Sequence, residues 1–166
     1  VGILRSHVES AYVQDAGLCR IGWLCTESKD KDSSEILGLT APLLMPAIQV
    51  AMRGLSPDPG IQRAGCGALR GLSAVAGQLP AICQEFGGPQ LIVEAMKVHL
   101  KIVDVVTAGN QAISAMSQKA GKNSPELSIM RQAGCIEALQ KVMTHHAWDQ
   151  TLCGRIRVVL PFLTED

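Results

Sequence analysis

IQRAGCGALRGLS, from Ile61 to Ser73, has the apolar spacing of a helix, yet Gly65, Gly67 and Gly71 all fall within it. Each glycine inside a helix costs about 0.5–1 kcal/mol relative to alanine, so the stretch is a poor lone helix. It makes better sense as one copy of a recurring unit. VQDAGLCRIGWLC (Val13 to Cys25), VVTAGNQAISAMS (Val105 to Ser117) and LCGRIRVVLPFL (Leu152 to Leu163) lie over it in four columns. The first column is Val13, Ile61, Val105 and Leu152, and the second is Gly17, Gly65, Gly109 and Ile156. The third is Ile21, Leu69, Ile113 and Leu160, and the fourth is Leu24, Leu72, Met116 and Leu163. Steps of four, four and three residues put these columns on one face of a helix. The copies start 48, 44 and 47 residues apart, a spacing that points to stacked helical repeats.

A second element recurs between the copies. Leu44, Ala47 and Ile48 match Ile92, Ala95 and Met96, then Leu139, Val142 and Met143. Three residues after Met96 and Met143 stand His99 and His146. A short element precedes it, Ile82 to Gly87 (ICQEFG) matching Ile129 to Gly134 (IMRQAG). Each unit is therefore predicted to hold a short, a middle and a long third helix. Pro80 and Ser124 with Pro125 suit the starts of short helices, and SPDPG (Ser56 to Gly60) and AGKNS (Ala120 to Ser124) are turn chemistry.

From Ala11 to Leu163 the pattern resembles the armadillo-repeat family, whose third helices typically read V-Q-x-x-A-x-x-A-L-x-x-L. Val13, Gln14 and Gly17, and Ile61, Gln62, Ala68, Leu69 and Leu72, stand at those places. The family's A-G-x-x-x-L-x-x-x-M pattern is matched by Ala133, Gly134, Ala138, Leu139 and Met143. HEAT repeats are the nearest rival, but the three-element period and the A-G signal favour armadillo. The resemblance implies an all-α, right-handed solenoid forming a single domain over 1–166. It would hold repeats at 33–76, 77–120 and 122–165, with 1–30 the end of a preceding one. The first unit departs from the pattern, with Leu39 and Thr40 in place of the glycine before its middle helix. The last has Ile156 in the small column and Pro161 inside its third helix.

Composition narrows the work such a chain performs. Fifteen basic and 15 acidic residues give zero net charge, which argues against a phosphate-backbone binder, so no nucleic-acid partner is expected. Aromatics are only 3% of the chain, which suits thin layers of small helices. The six cysteines form no CxxC pair and sit in apolar helical patterns, so buried free thiols in a reducing, intracellular compartment are expected. The cytoplasm comes first and an organelle second. The longest apolar run, Leu37 to Met52, is broken by Thr40, Pro42, Pro46 and Gln49 and reads as too short to span a membrane. No signal segment opens the chain, which starts on Val1, so a fragment, a processed form or a trimmed core is expected. Solenoid ends need polar caps, and none is evident. At least one end face is therefore expected to pack on another chain or on further residues.

In armadillo proteins the third helices line a concave groove. The resemblance puts Cys19, Gly67, Gln111 and Val158 on one outward ladder and Trp23, Gly71, Ala115 and Phe162 on the next. In importin alpha these ladders are mostly tryptophan and asparagine. Neither is kept here, so recognition of nuclear signals by that mechanism is not expected. Asp15, Arg63, Arg70, Thr107, Ser114 and Gln118 complete the groove candidates. Arg63 and Arg70 are suited to gripping a carboxylate or an acidic peptide, or else serve solubility. Trp23 is a candidate partner anchor, or else packs on a preceding repeat. The bareness of Gly67 and Gly71 is expected to leave a strip of exposed backbone in the groove.

Catalytic motifs are not found in the sequence. His145 and His146 with Asp149 and Cys153 suggest a site, but adjacent helical histidines diverge and no glutamate follows at HExxH spacing. A helix-end dipole explains them equally well. FGGPQL (Phe86 to Leu91) follows no strand and reads as a turn into the middle helix, and GxxxxGK[ST] and GxSxG are absent. The expectation is a non-catalytic protein-interaction or scaffold module with no metal or cofactor, part of a larger polypeptide or a multisubunit assembly. It would engage protein partners through the third-helix groove or the end faces. A regulatory domain sensing a small ligand beside Gly67, Gly71 and Ala115 is the alternative from another class.

Overall fold

The computed structural model describes residues 2–27 and 31–164, and all regular structure among them is helical. Ten helices follow in order: α1 (Gly2–Ser6), α2 (Ala11–Glu27), α3 (Lys31–Gly54), α4 (Pro59–Ala74) and α5 (Gln78–Gln84). Then come α6 (Gly88–Val98), α7 (Val103–Lys119), α8 (Pro125–Gln132), α9 (Cys135–His145) and α10 (Gln150–Thr164). The division expected near residue 30 and the end of the last unit at 165 lie outside the described residues.

Equivalent helices pack on each other. The long helices α2, α4, α7 and α10 lie side by side in that order, α5 packs on α8, and α6 packs between α3 and α9. The four sequence columns supply much of the core: Ile61, Leu69, Leu72, Val105, Ile113, Met116, Leu152 and Leu163 are all buried. The long helices start at matching places. Asp58 Oδ1 accepts from the Ile61 N–H at 3.1 Å and Asp149 Oδ1 from the Leu152 N–H at 2.9 Å, each cap preceding a first-column residue by three.

The second column explains Gly65. A Cβ there would sit 2.5 Å from Met52 Cγ, and one on Gly109 would sit 2.5 Å from Met96 Cγ; Gly17 faces Leu4 in the same way. The glutamine of the V-Q pair is a staple. Gln62 Nε2 donates to the carbonyls of Met52 (2.9 Å) and Leu55 (3.2 Å), and Gln14 Nε2 to those of Leu4 (2.7 Å) and His7 (2.9 Å). These carbonyls end the preceding helix, where no intrahelical partner remains.

These contacts correct the register of the first middle element. Met52, not Ile48, is the counterpart of Met96, a slip of four residues. Four residues is nearly one helical turn, so either register keeps the same apolar face and periodicity cannot separate them. The first unit also lacks the expected break: α3 is one helix of 24 residues, with Pro42 and Pro46 inside it. The later units break at Gly87 (φ +61°) and Gly134 (φ +84°), a left-handed conformation that glycine adopts without strain. In the corrected register Leu43 stands at that place, and the helix runs through. The sequence argument that this run is too short to cross a membrane therefore fails, since Ile36–Gly54 is long and apolar enough by composition. In the fold, Ala41, Met45, Ile48, Ala51 and Met52 from this helix are core residues. Pro80 is not the start of α5, which begins two residues earlier at Gln78.

The matched histidines also bridge units. His99 Nε2 lies 2.8 Å from the Ser56 carbonyl, and His146 Nε2 lies 2.7 Å from the Leu100 carbonyl. Each ring ends a middle helix and reaches the same place in the unit before. With Nε2 donating, His146 Nδ1 is a buried acceptor that has no partner.

Candidate functional site

The long helices place most of the groove candidates on one face, in two groups that differ in character. The first group lies along α2 and α4. Cys19 is exposed and its thiol points to Asp15 Oδ1 at 3.8 Å. Partial burial, and then the Asp15 charge, push its pKa up, with Arg63 opposing. Arg63 lies 3.9 Å from Asp15 with both side chains well exposed, a geometry that contributes little to stability. The Arg20 guanidinium stacks 4.2 Å from the Trp23 ring centroid, and half of Trp23 remains open to solvent.

The two glycines of the expected bare strip part company. A Cβ on Gly67 would have nothing within 4 Å, so the strip is open there. Gly71, by contrast, is buried, and a Cβ on it would lie 2.9 Å from both Gly22 O and Cys25 Cβ. Its placement in the groove is therefore corrected: it is where α4 meets α2. A Cβ on Gly22 would in turn lie 3.1 Å from Gly67 O. With glycine on both sides, the α2 and α4 backbones come into near contact, and only residues without Cβ allow that approach.

The second group lies along α4, α7 and α10. Arg70 Nη1 donates to Gln111 Oε1 at 2.7 Å, joining α4 to α7. Gln118 Nε2 donates to Ser114 Oγ at 2.9 Å. Arg70, Gln111, Ser114, Ala115 and Gln118, all groove candidates, line one cavity of about 340 Å³ with Asn110 and, from α10, Arg155, Val158 and Val159. The lining carries two guanidiniums and no carboxylate. At its wall Asn110 is 2% exposed, and its Oδ1 has no hydrogen-bond partner. An orphaned buried carbonyl of this kind costs about 1–3 kcal/mol.

Asn110 and Arg155 are the residues that sequence reasoning missed, although the columns carried a signal for both. Asn110 follows Leu18 and Cys66, two apolar residues, and Arg155 follows Ala16, Ala64 and Ala108. The histidine set suggested by the sequence is engaged elsewhere. His146 holds the Leu100 carbonyl, Asp149 caps α10, and the Cys153 thiol donates to the His146 carbonyl at 3.4 Å. Among the described residues, no group of three or more His, Cys, Asp or Glu is placed to hold a metal ion. Burial pushes the thiols of Cys66, Cys83 and Cys135 up to about 12 and that of Cys25 to about 11. These four are therefore thiols, not thiolates, near neutral pH. No family model, curated protein or solved structure matches the chain.

Proposed function

We propose that this chain is a non-catalytic protein-interaction module, a right-handed solenoid of armadillo-type units whose long-helix face receives a protein partner. The observation that carries the reading is convergence: six groove candidates read from the sequence, Val158 among them, line one cavity across α4, α7 and α10. That cavity is furnished for recognition, with fixed donors and apolar walls. Its lining holds no cysteine or histidine to act as nucleophile or base.

A second reading, burial within a larger assembly, is favoured by α3. Ile36, Leu39 and Leu43 there are 61%, 75% and 53% exposed, an apolar surface that a partner subunit would cover. Photo-crosslinking in cells of the source organism separates the two. A benzoylphenylalanine replacing Gln118, at the cavity rim, is expected to trap a partner, whereas one replacing Val98 on α6 is not. Crosslinks from Leu39 but not from position 118 would replace the first reading with the second.

A further inference from the structure

The α7–α10 cavity has a chemical character more specific than a general protein-binding face. Arg70 spends one of its five N–H donors on Gln111, which leaves the others for a ligand. Arg155 is exposed and lines the same cavity from α10. Ser114 Oγ accepts from Gln118, so its own proton is free to be donated. With no carboxylate in the lining, these donors present an uncompensated positive site. Beside them Asn110 Oδ1 is buried without a partner, at a position held by Leu18 and Cys66 in the two preceding long helices. An asparagine there destabilises the free fold unless something supplies a donor.

We propose that this cavity is a carboxylate pocket for a peptide. Arg70, Arg155 and Ser114 hold the carboxylate, and the Asn110 amide turns into the cavity so that its Oδ1 accepts a neighbouring peptide N–H. The proposal rests on the long-helix face being the binding surface and names what it recognises there. Forked guanidiniums match a carboxylate in shape and charge. Phosphate would satisfy the same cations, but it has no aliphatic part to place against Val158 and Val159. A peptide carries an N–H beside every carboxylate. Val158 and Val159 offer the aliphatic part of the ligand an apolar wall. The carboxylate can come from a Glu or Asp side chain or from a chain terminus.

The test is a titration of the full chain, followed by its side-chain amide NMR signals. The probes are acetyl-Gly-Glu-Gly-amide, acetyl-Gly-Gly-Gly with a free terminus, acetyl-Gly-Gln-Gly-amide and inorganic phosphate. Saturable shifts of the Asn110, Gln111 and Gln118 amides are expected with at least one acidic peptide, and whichever binds more tightly identifies the source. Arg155→Gln should weaken that binding about tenfold, Arg155→Lys should weaken it less, and both should keep the parent's helical circular dichroism. Equal binding of the neutral peptide would overturn the carboxylate assignment while leaving the face as a peptide surface. Equal or tighter binding of phosphate at the same signals, or unchanged affinity in Arg155→Gln, would overturn it too. If no peptide shifts these signals, the pocket is not a peptide site, and crosslinking from position 118 judges the face independently.

Discussion

The seam between α2 and α4 and the seam between α7 and α10 occupy equivalent places in the repeat, yet one is shut and the other holds a cavity. At the first, Gly22 and Gly71 let the two backbones meet. At the second, the equivalent positions are Ser114 and Phe162, which carry side chains, and α10 packs less closely on α7 than α4 does on α2. The first seam thus closes on bare backbone, while a cavity lies at the second. Polar groups follow that division. The shut seam is flanked by an exposed, self-paired Arg63 and Asp15, while the open one keeps Arg155 and a buried, unpartnered Asn110 Oδ1 at its wall.

The largest effect expected is alkaline loss of stability, because two of the four strongly shifted thiols, Cys25 and Cys66, belong to the α2 and α4 helices of the shut seam. Their folded pKa values lie above the ordinary 9.0, so the folded chain holds protons that the unfolded chain releases. That stabilisation is complete below pH 9.0 and is lost progressively towards 11 and 12. Urea midpoints should be flat to about pH 8.5 and fall beyond it, and Cys66→Ala should make the fall shallower. An equally steep fall in Cys66→Ala would show that the packing at Cys66 is not its cause.

Overfilling the shut seam comes next. Gly71→Val should cost about 2–3 kcal/mol in urea unfolding, since even its Cβ meets backbone and Cys25, whereas Ala115→Val, at the matching place on α7 and lining the cavity, should cost under about 1 kcal/mol. Equal costs would erase the distinction between the seams. His99→Leu, which copies the natural Leu55 of the unit before, should lose about 1–2 kcal/mol as the Ser56 carbonyl loses its donor. Asn110→Ala should move the other way, gaining about 1 kcal/mol while impairing peptide binding, because it removes an orphaned acceptor. Smallest is Gly67→Ala, expected to gain about 0.5 kcal/mol because its Cβ would enter open space.

The sequence carried a good deal of this architecture. The columns at Ile61, Gly65, Leu69 and Leu72 gave the long helices and their inward faces, because burial writes a period that survives in one chain. Three features were less legible. Met52 and Ile48 lie nearly one turn apart, so the pattern is almost unchanged between the two registers. Gly71 looked like a groove residue because the counterpart that crowds it, Gly22, also lacks a side chain and left no apolar signal. Arg155 and Asn110 each depart from their columns, but what brings them together is how α10 sits against α7, which the period of a single helix does not carry.

The central claim is that a partner engages the open seam and not the shut one. Crosslinking from position 118 should be repeated with Arg155→Glu and, separately, Arg63→Glu, after circular dichroism confirms that both variants keep the parent's helicity. Loss of the crosslink in Arg155→Glu, with near-parental yield in Arg63→Glu, is the predicted result. Persistence in Arg155→Glu, or equal loss in both, would contradict it.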